Sequence, residues 1–126
     1  MGRASWPAPL HEMSLDLVRR CCRSYPHVTE SVQWGDNLVF KVAGKIFAIA
    51  SLEPGDIWLS FKSDPEEFAA MVERPGVIPA PYLARAHWVA LETADALNVT
   101  ELKQRLRNSY DLVFAKLPRK TREGLG

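Results

Sequence analysis

The stretch QWGDNLVFKVAGKIFAIASLEPGDIWLSFK, from Gln33 to Lys62, carries three strand-like runs separated by two turn signals. Leu38, Phe40 and Val42 alternate with Val39 and Lys41, the period of a strand with one buried face. Ala43 and Gly44 turn the chain, and glycine takes the positive φ that a tight hairpin demands. In Lys45 to Leu52, the side chains of Ile46, Ala48, Ala50 and Leu52 fall on one side and those of Phe47 and Ile49 on the other. Apolarity on both sides marks a central strand. Glu53 to Asp56 makes the next turn, after which Ile57, Leu59 and Phe61 face one way while Trp58, Ser60 and Lys62 face the other. Consecutive strands joined by short turns specify an antiparallel sheet.

Working outward, Thr29 to Trp34 reads as a short strand, with Gly35, Asp36 and Asn37 as the turn after it. A Trp-Gly pair at a strand end is expected to lock that turn against the core. Before it, Ser14 to Tyr25 places Leu15, Val18, Cys22 and Tyr25 on one stripe of a helix that Pro26 ends. Asp16, Arg19, Arg20 and Arg23 make the opposite, mostly basic face. After the central stretch, Asp64, Pro65 and Glu67 form a helix start with an N-cap, a proline at the first helical position and a capping-box Glu. That helix should end near Arg74, and Val77 to Pro81, with two prolines, reads as a loop. His87 to Glu92 is a last strand, with Val89 and Leu91 on one face and Trp88 and Ala90 on the other. Asn98 to Leu117 is a helix whose stripe is Leu102, Leu106, Tyr110, Val113 and Leu117, with Asn98 and Glu101 spaced for a capping box. The element order is therefore α-β-β-β-β-α-β-α, an α+β domain.

A length of 126 residues, 47% of them apolar and 25% charged, suits one domain spanning 1–126, with its core over about 14–117. The net charge of +1 creates no global field that would attract nucleic acid or lipid. The N-terminal MGRASWPAPLHEMS lacks the apolar centre of a signal peptide, and no run approaches a membrane span, so the expectation is a cytoplasmic protein with no membrane contact. Cys21 and Cys22 are adjacent and supply no disulfide framework, and on a helix they diverge by about 100°, which makes no metal claw. Cys22 is expected in the core and Cys21 at its edge. From Glu101 onward basic residues outnumber acidic ones, ending in the LPRKTR tail. That asymmetry suits either an acidic partner or a solvated helix end in which Lys116, Arg119 and Lys120 complement the helix dipole.

Lys41, Trp58, Lys62, Arg85, His87 and Trp88 are the best candidates for a functional surface. Rings interleaved with cations are what phosphate contact combined with base stacking requires. Tryptophans on a sheet face also cover it or pack beneath a loop, with lysine stems lying over them, and both readings stand at this point. His11, His27 and His87 are scattered, read as surface or capping residues, and neither HxH, HxxxH nor CxxC spacing occurs, so no metal is expected. Ser60, Ser109 and His87 lack a nucleophile elbow or an oxyanion loop, and Ser109 reads as a small residue that permits close packing. On the last helix, Lys103 and Arg107 flank the apolar stripe on one side and Arg105 and Lys116 on the other. Divided in that way, they suit snorkelling better than a recognition helix.

Several of these residues also carry a family resemblance: Trp34-Gly35, Phe40-x-Val42-x-Gly44-Lys45-x-Phe47, Ser60-Phe61-Lys62 before an Asp-Pro-Glu helix start, His87-Trp88 and Ser109-Tyr110. In order and spacing, over roughly Ser14 to Leu117, they resemble the MmcQ/YjbR-like family. The resemblance implies a CyaY-like fold, with helices packed on one face of an antiparallel sheet, and a DNA-binding, double-wing description. Ala84 and Arg85 stand where relatives tend to carry Asn-Lys, which keeps a cation and loses an amide. CyaY-like proteins bind iron through rows of carboxylates on the first helix, but Asp16 here sits among Arg19, Arg20 and Arg23, and a basic face repels a hard cation. The expectation is thus a non-enzymatic, cofactor-free, monomeric DNA-binding protein. Its contacts would come from Lys62, Arg85, His87 and Trp88, with Lys41, Lys45 and Trp58 behind them. The alternative is a protein-interaction or small-ligand module that uses the same Trp-rich face.

Overall fold

The computed structural model describes residues 8–125. Helix α1 (Ala8–Arg23) leads into four strands, β1 (Val28–Gln33), β2 (Asn37–Val42), β3 (Lys45–Ser51) and β4 (Leu59–Lys62). Helix α2 (Pro65–Met71), strand β5 (Val77–Pro79), a 3-10 turn at Ala84–Ala86, strand β6 (Trp88–Leu91), and helices α3 (Val99–Ala115) and α4 (Arg119–Leu125) follow. The strands form one six-stranded sheet in the order β1-β2-β3-β4-β6-β5. Every pairing is antiparallel.

Helices α1 and α3 lie on one face of the sheet. Val18 and Cys22 from α1, together with Leu102, Leu106, Tyr110 and Val113 from α3, close over Phe40, Phe47, Leu59, Phe61, Val89 and Leu91. The expected helical stripes are the buried ones. At the centre, the Phe47 and Tyr110 rings meet edge-on at 5.4 Å, a geometry worth about 1 kcal/mol beyond the area it buries. The Tyr110 hydroxyl donates to the Pro26 carbonyl at 2.7 Å and ties α3 to the segment that ends α1.

Both predicted helix starts form. Asp64 and Glu67 close a complete capping box on α2. Asn98 caps α3 by accepting from the Glu101 amide, while the Glu101 carboxylate turns instead to Arg74, which donates at 2.9 Å. Arg105 pairs with Glu67 at 2.8 Å, so α2 is held to α3 by a chain of ion pairs.

The structure corrects several expectations. Val77–Pro79 is not loop but a short edge strand on β6, where Pro79 is tolerated because an edge strand leaves N–H groups unused. The basic tail forms helix α4. His11 is buried rather than on the surface, and its Nε2 lies 2.8 Å from the Ser51 carbonyl. Trp34 is 63% exposed and does not lock the turn against the core. It adopts φ 53° in the β1–β2 turn, ahead of Gly35 at φ 88°, where the Asp36 amide donates to its carbonyl at 3.1 Å.

Face assignments also change at two places. The β2–β3 register shifts between Phe40 and Lys41, so that Phe40 pairs with Ala48 and Lys41 with Ile46, leaving Phe47 as the extra residue of a bulge. Phe47 therefore joins Ala48 and Ala50 on the helix-covered face, and Ile46 and Ile49 share the opposite face. Trp58 precedes β4, and its side chain enters the main core beside Leu59, while Ile57 goes to the other face.

Candidate anion-binding groove

Three elements bring their ends together where β3 begins, β4 ends and α3 finishes. Ala43 and Gly44 both take positive φ, and the resulting two-residue hairpin places Lys45 directly opposite Val42. Strand β4 ends at Lys62, paired with Trp88 at the start of β6. The C-terminal end of α3 contributes Val113 and its C-cap residue Lys116. Between them lies an open depression of about 360 Å³ floored by Ile46, Trp88 and Leu117.

Ser109 fixes this geometry. Beyond Ala48 and Phe61 the β3–β4 pairing stops, because the bulge at Phe47 breaks the register. The buried Ser109 hydroxyl takes its place, donating to the Phe47 carbonyl at 2.6 Å and accepting from the Lys62 amide at 2.9 Å. A side chain from α3 thus completes the ladder where Lys62 leaves it. Ser109 is a bridging group, a role its small size alone did not reveal.

The charges in the groove are unbalanced. Lys45, Lys62 and Lys116 line it, and among the described residues no carboxylate joins the lining and none of the three lysines forms a salt bridge. Burial lowers the Lys62 ammonium pKa from its ordinary value, and the neighbouring Lys116 charge lowers it further. The Lys62 Nζ donates to the Ala86 carbonyl at 2.9 Å. An anion here would relieve the repulsion and satisfy the remaining donors. By contrast, the depression of about 340 Å³ around His27, Arg107 and Phe114 holds its own counter-ion. Arg107 there pairs with Asp111 at 3.1 Å and covers the Tyr25 and Tyr110 rings at 5.2 Å from each centroid.

Of the residues expected to act together, Lys45, Lys62 and Trp88 converge on this groove. Lys41 lies one strand further out on the same face, across from Ile46. Arg85 is exposed on the 3-10 turn whose next residue, Ala86, holds the Lys62 amine. His87 is a cap: it ends that turn at φ 64°, its carbonyl accepts from the Ser63 amide and hydroxyl, and its ring meets Phe68 edge-on at 5.5 Å. Trp58 does not belong to a surface. It is 1% exposed and its Nε1 donates to the Thr93 carbonyl at 2.9 Å, so it is a core residue with its polar end satisfied. Trp88 is 7% exposed and packed with Ala80 and Ala90, too buried to offer a free stacking face. Lys116 was missed as a site residue because its position on α3 placed it with Arg105, and only the crossing of α3 over β4 separates them.

A family model described as YjbR matches residues 23–112. The chain is 26% identical over 113 residues to YbdF of Escherichia coli O157:H7, described as an uncharacterized protein, a match covering 88% of this chain and 89% of that one. Among solved structures it resembles Deinococcus radiodurans protein DR2400, of the domain described as DUF419, with 32% identity, a TM-score of 0.79, and coverage of 89% and 87% of the two chains. A Pseudomonas syringae protein shares the fold at 19% identity and a TM-score of 0.64, covering 78% of this chain and 96% of that one.

Proposed function

The chain belongs to the YjbR family, and from that premise and the unbalanced lysine groove we propose that it binds nucleic acid without catalysing a reaction. The observation that carries the reading is the convergence of Lys45, Lys62 and Lys116 from three elements on one open depression whose lining, among the described residues, holds no carboxylate. Lys41 and Arg85 extend the cationic surface on either side. With both Trp58 and Trp88 buried, contacts are to phosphate rather than to bases, so binding is weakly sequence-specific and falls steeply with salt. Cytoplasmic location agrees with two unbridged cysteines, and no described helix is long and apolar enough to cross a membrane. The reading requires no cofactor and takes the chain as a monomer.

Anisotropy of labelled DNA and RNA at two salt concentrations tests it. Three neutralised phosphates predict a log–log salt slope of about −2 to −3, and Lys62→Ala with Lys116→Ala should remove most of it. Absence of binding at low salt, or affinity indifferent to the double substitution, refutes the reading. A protein-contact reading is supported by the exposed Trp34 and Val32 at the β1–β2 hairpin. It predicts partner binding that Trp34→Ala abolishes and salt barely changes.

A further inference from the structure

We propose that Lys62 is a site of non-enzymatic acylation by acyl phosphates, docked in the groove by Lys45 and Lys116. An acyl phosphate joins a phosphoryl anion to a reactive carbonyl, and the groove offers a matching pair of features. Lys45 on the hairpin and Lys116 at the C-cap of α3 line the groove with Lys62, form no ion pair among the described residues, and supply the anion contacts. Lys62 supplies the amine, half-buried but open to the groove, and held by the Ala86 carbonyl through one N–H. Once deprotonated, it keeps that bond and presents its lone pair.

Burial and the facing Lys116 both favour the neutral amine, the form that attacks. Among the described residues, the charged groups lining the groove are Lys45 from β3, Lys62 from β4 and Lys116 from the C-cap of α3, and none of them is acidic. In the step itself the Lys62 nitrogen attacks the acyl carbon and a C–N bond forms. The bond from the carbonyl carbon to the phosphate oxygen breaks, and inorganic phosphate leaves with its electron pair. The nitrogen's surplus proton passes to phosphate or water. The product is a neutral amide, so one of the groove's cations is erased. The acylation stands by itself, but its consequence, weaker polyanion binding, rests on the function proposed above.

The test is incubation of the full chain with acetyl phosphate at neutral pH and low salt, with acetylation at each lysine read by peptide mass spectrometry. Lys62 is expected to react at least about threefold faster than Lys103 and Lys120, which lie outside the groove. The preference should shrink with the uncharged reagent N-acetoxysuccinimide, which keeps the amine's reactivity but has no phosphoryl group to dock. Lys116→Gln, an exposed position, should slow acetyl phosphate at Lys62 by about threefold. A Lys62 rate equal to that of Lys103 overturns the proposal, as does the same preference with both reagents. These ratios are independent of nucleic-acid affinity, so failure of the binding reading leaves them unchanged. Acetylated protein that binds DNA as tightly as unmodified protein overturns the consequence for polyanion binding.

Discussion

Replacing Ser109 with alanine removes one oxygen and with it both bonds that splice β3 to β4. The Phe47 carbonyl is left buried without its donor, and the Lys62 amide loses its acceptor at a half-buried position that water reaches in part. At about 1–3 kcal/mol per stranded group, with the amide at the low end, the loss is about 2–4 kcal/mol. Against a total stability of about 5–15 kcal/mol for a domain, that is a large fraction. Urea unfolding followed by tryptophan fluorescence should show the midpoint falling by about 1–2 M at an unchanged slope. Ser60→Ala, a hydroxyl deletion on the sheet's other face, should change stability by less than about 0.5 kcal/mol. Hydrogen exchange gives a local readout, in which the Lys62 amide is protected in the parent chain and loses that protection in Ser109→Ala. A variant within about 0.5 kcal/mol of the parent, with the Lys62 amide still protected, would refute the reasoning that Ser109 completes the ladder.

Trp58→Phe should cost about 1.5–3 kcal/mol in thermal or urea unfolding, through the lost bond to Thr93 and a small cavity, while nucleic-acid affinity stays unchanged. The reverse pattern, weakened binding at full stability, would return Trp58 to a surface role. The Arg74 guanidinium holds the Glu101 carboxyl below its ordinary 4.5, so between the two values the unfolded chain binds more protons and stability rises with pH. This contribution is present above pH 4.5 and lost as pH falls through the lower folded value. The stability gap between parent and Arg74→Gln should therefore narrow from pH 7 to pH 3, and a constant gap contradicts the linkage. Burial raises the Cys22 thiol far above its ordinary value, so a thiol reagent at pH 8 should label Cys21 first and reach Cys22 only on unfolding. Equal labelling of both in the native protein would count against that burial.

The central hairpins, the stripes of α1 and α3, the start of α2 and the faces of β6 were all legible in the sequence, because each depends on a local period or on a cap within three or four residues. Strand β5 was hidden by Pro79, whose lack of an N–H argues against a strand until an edge position is known. The bulge at Phe47 had no signature, since an extra residue shows only against the register of the neighbouring strand. It reversed the assigned faces of Ile46 and Phe47, and the similar break before Leu59 sent Trp58 into the core.

By itself, then, the sequence determined the α+β sheet, its antiparallel order through β4, the family, and Lys45 and Lys62 as candidate cations. Tertiary structure alone decided which charges meet. Lys116 is far from Lys62 in sequence and joins it because α3 crosses the end of β4, held there by Ser109. Trp58 and Lys62, assigned to one face by alternation, were separated because burying an indole against the main core, with Thr93 to accept its N–H, outweighs the period of a strand that has not yet begun.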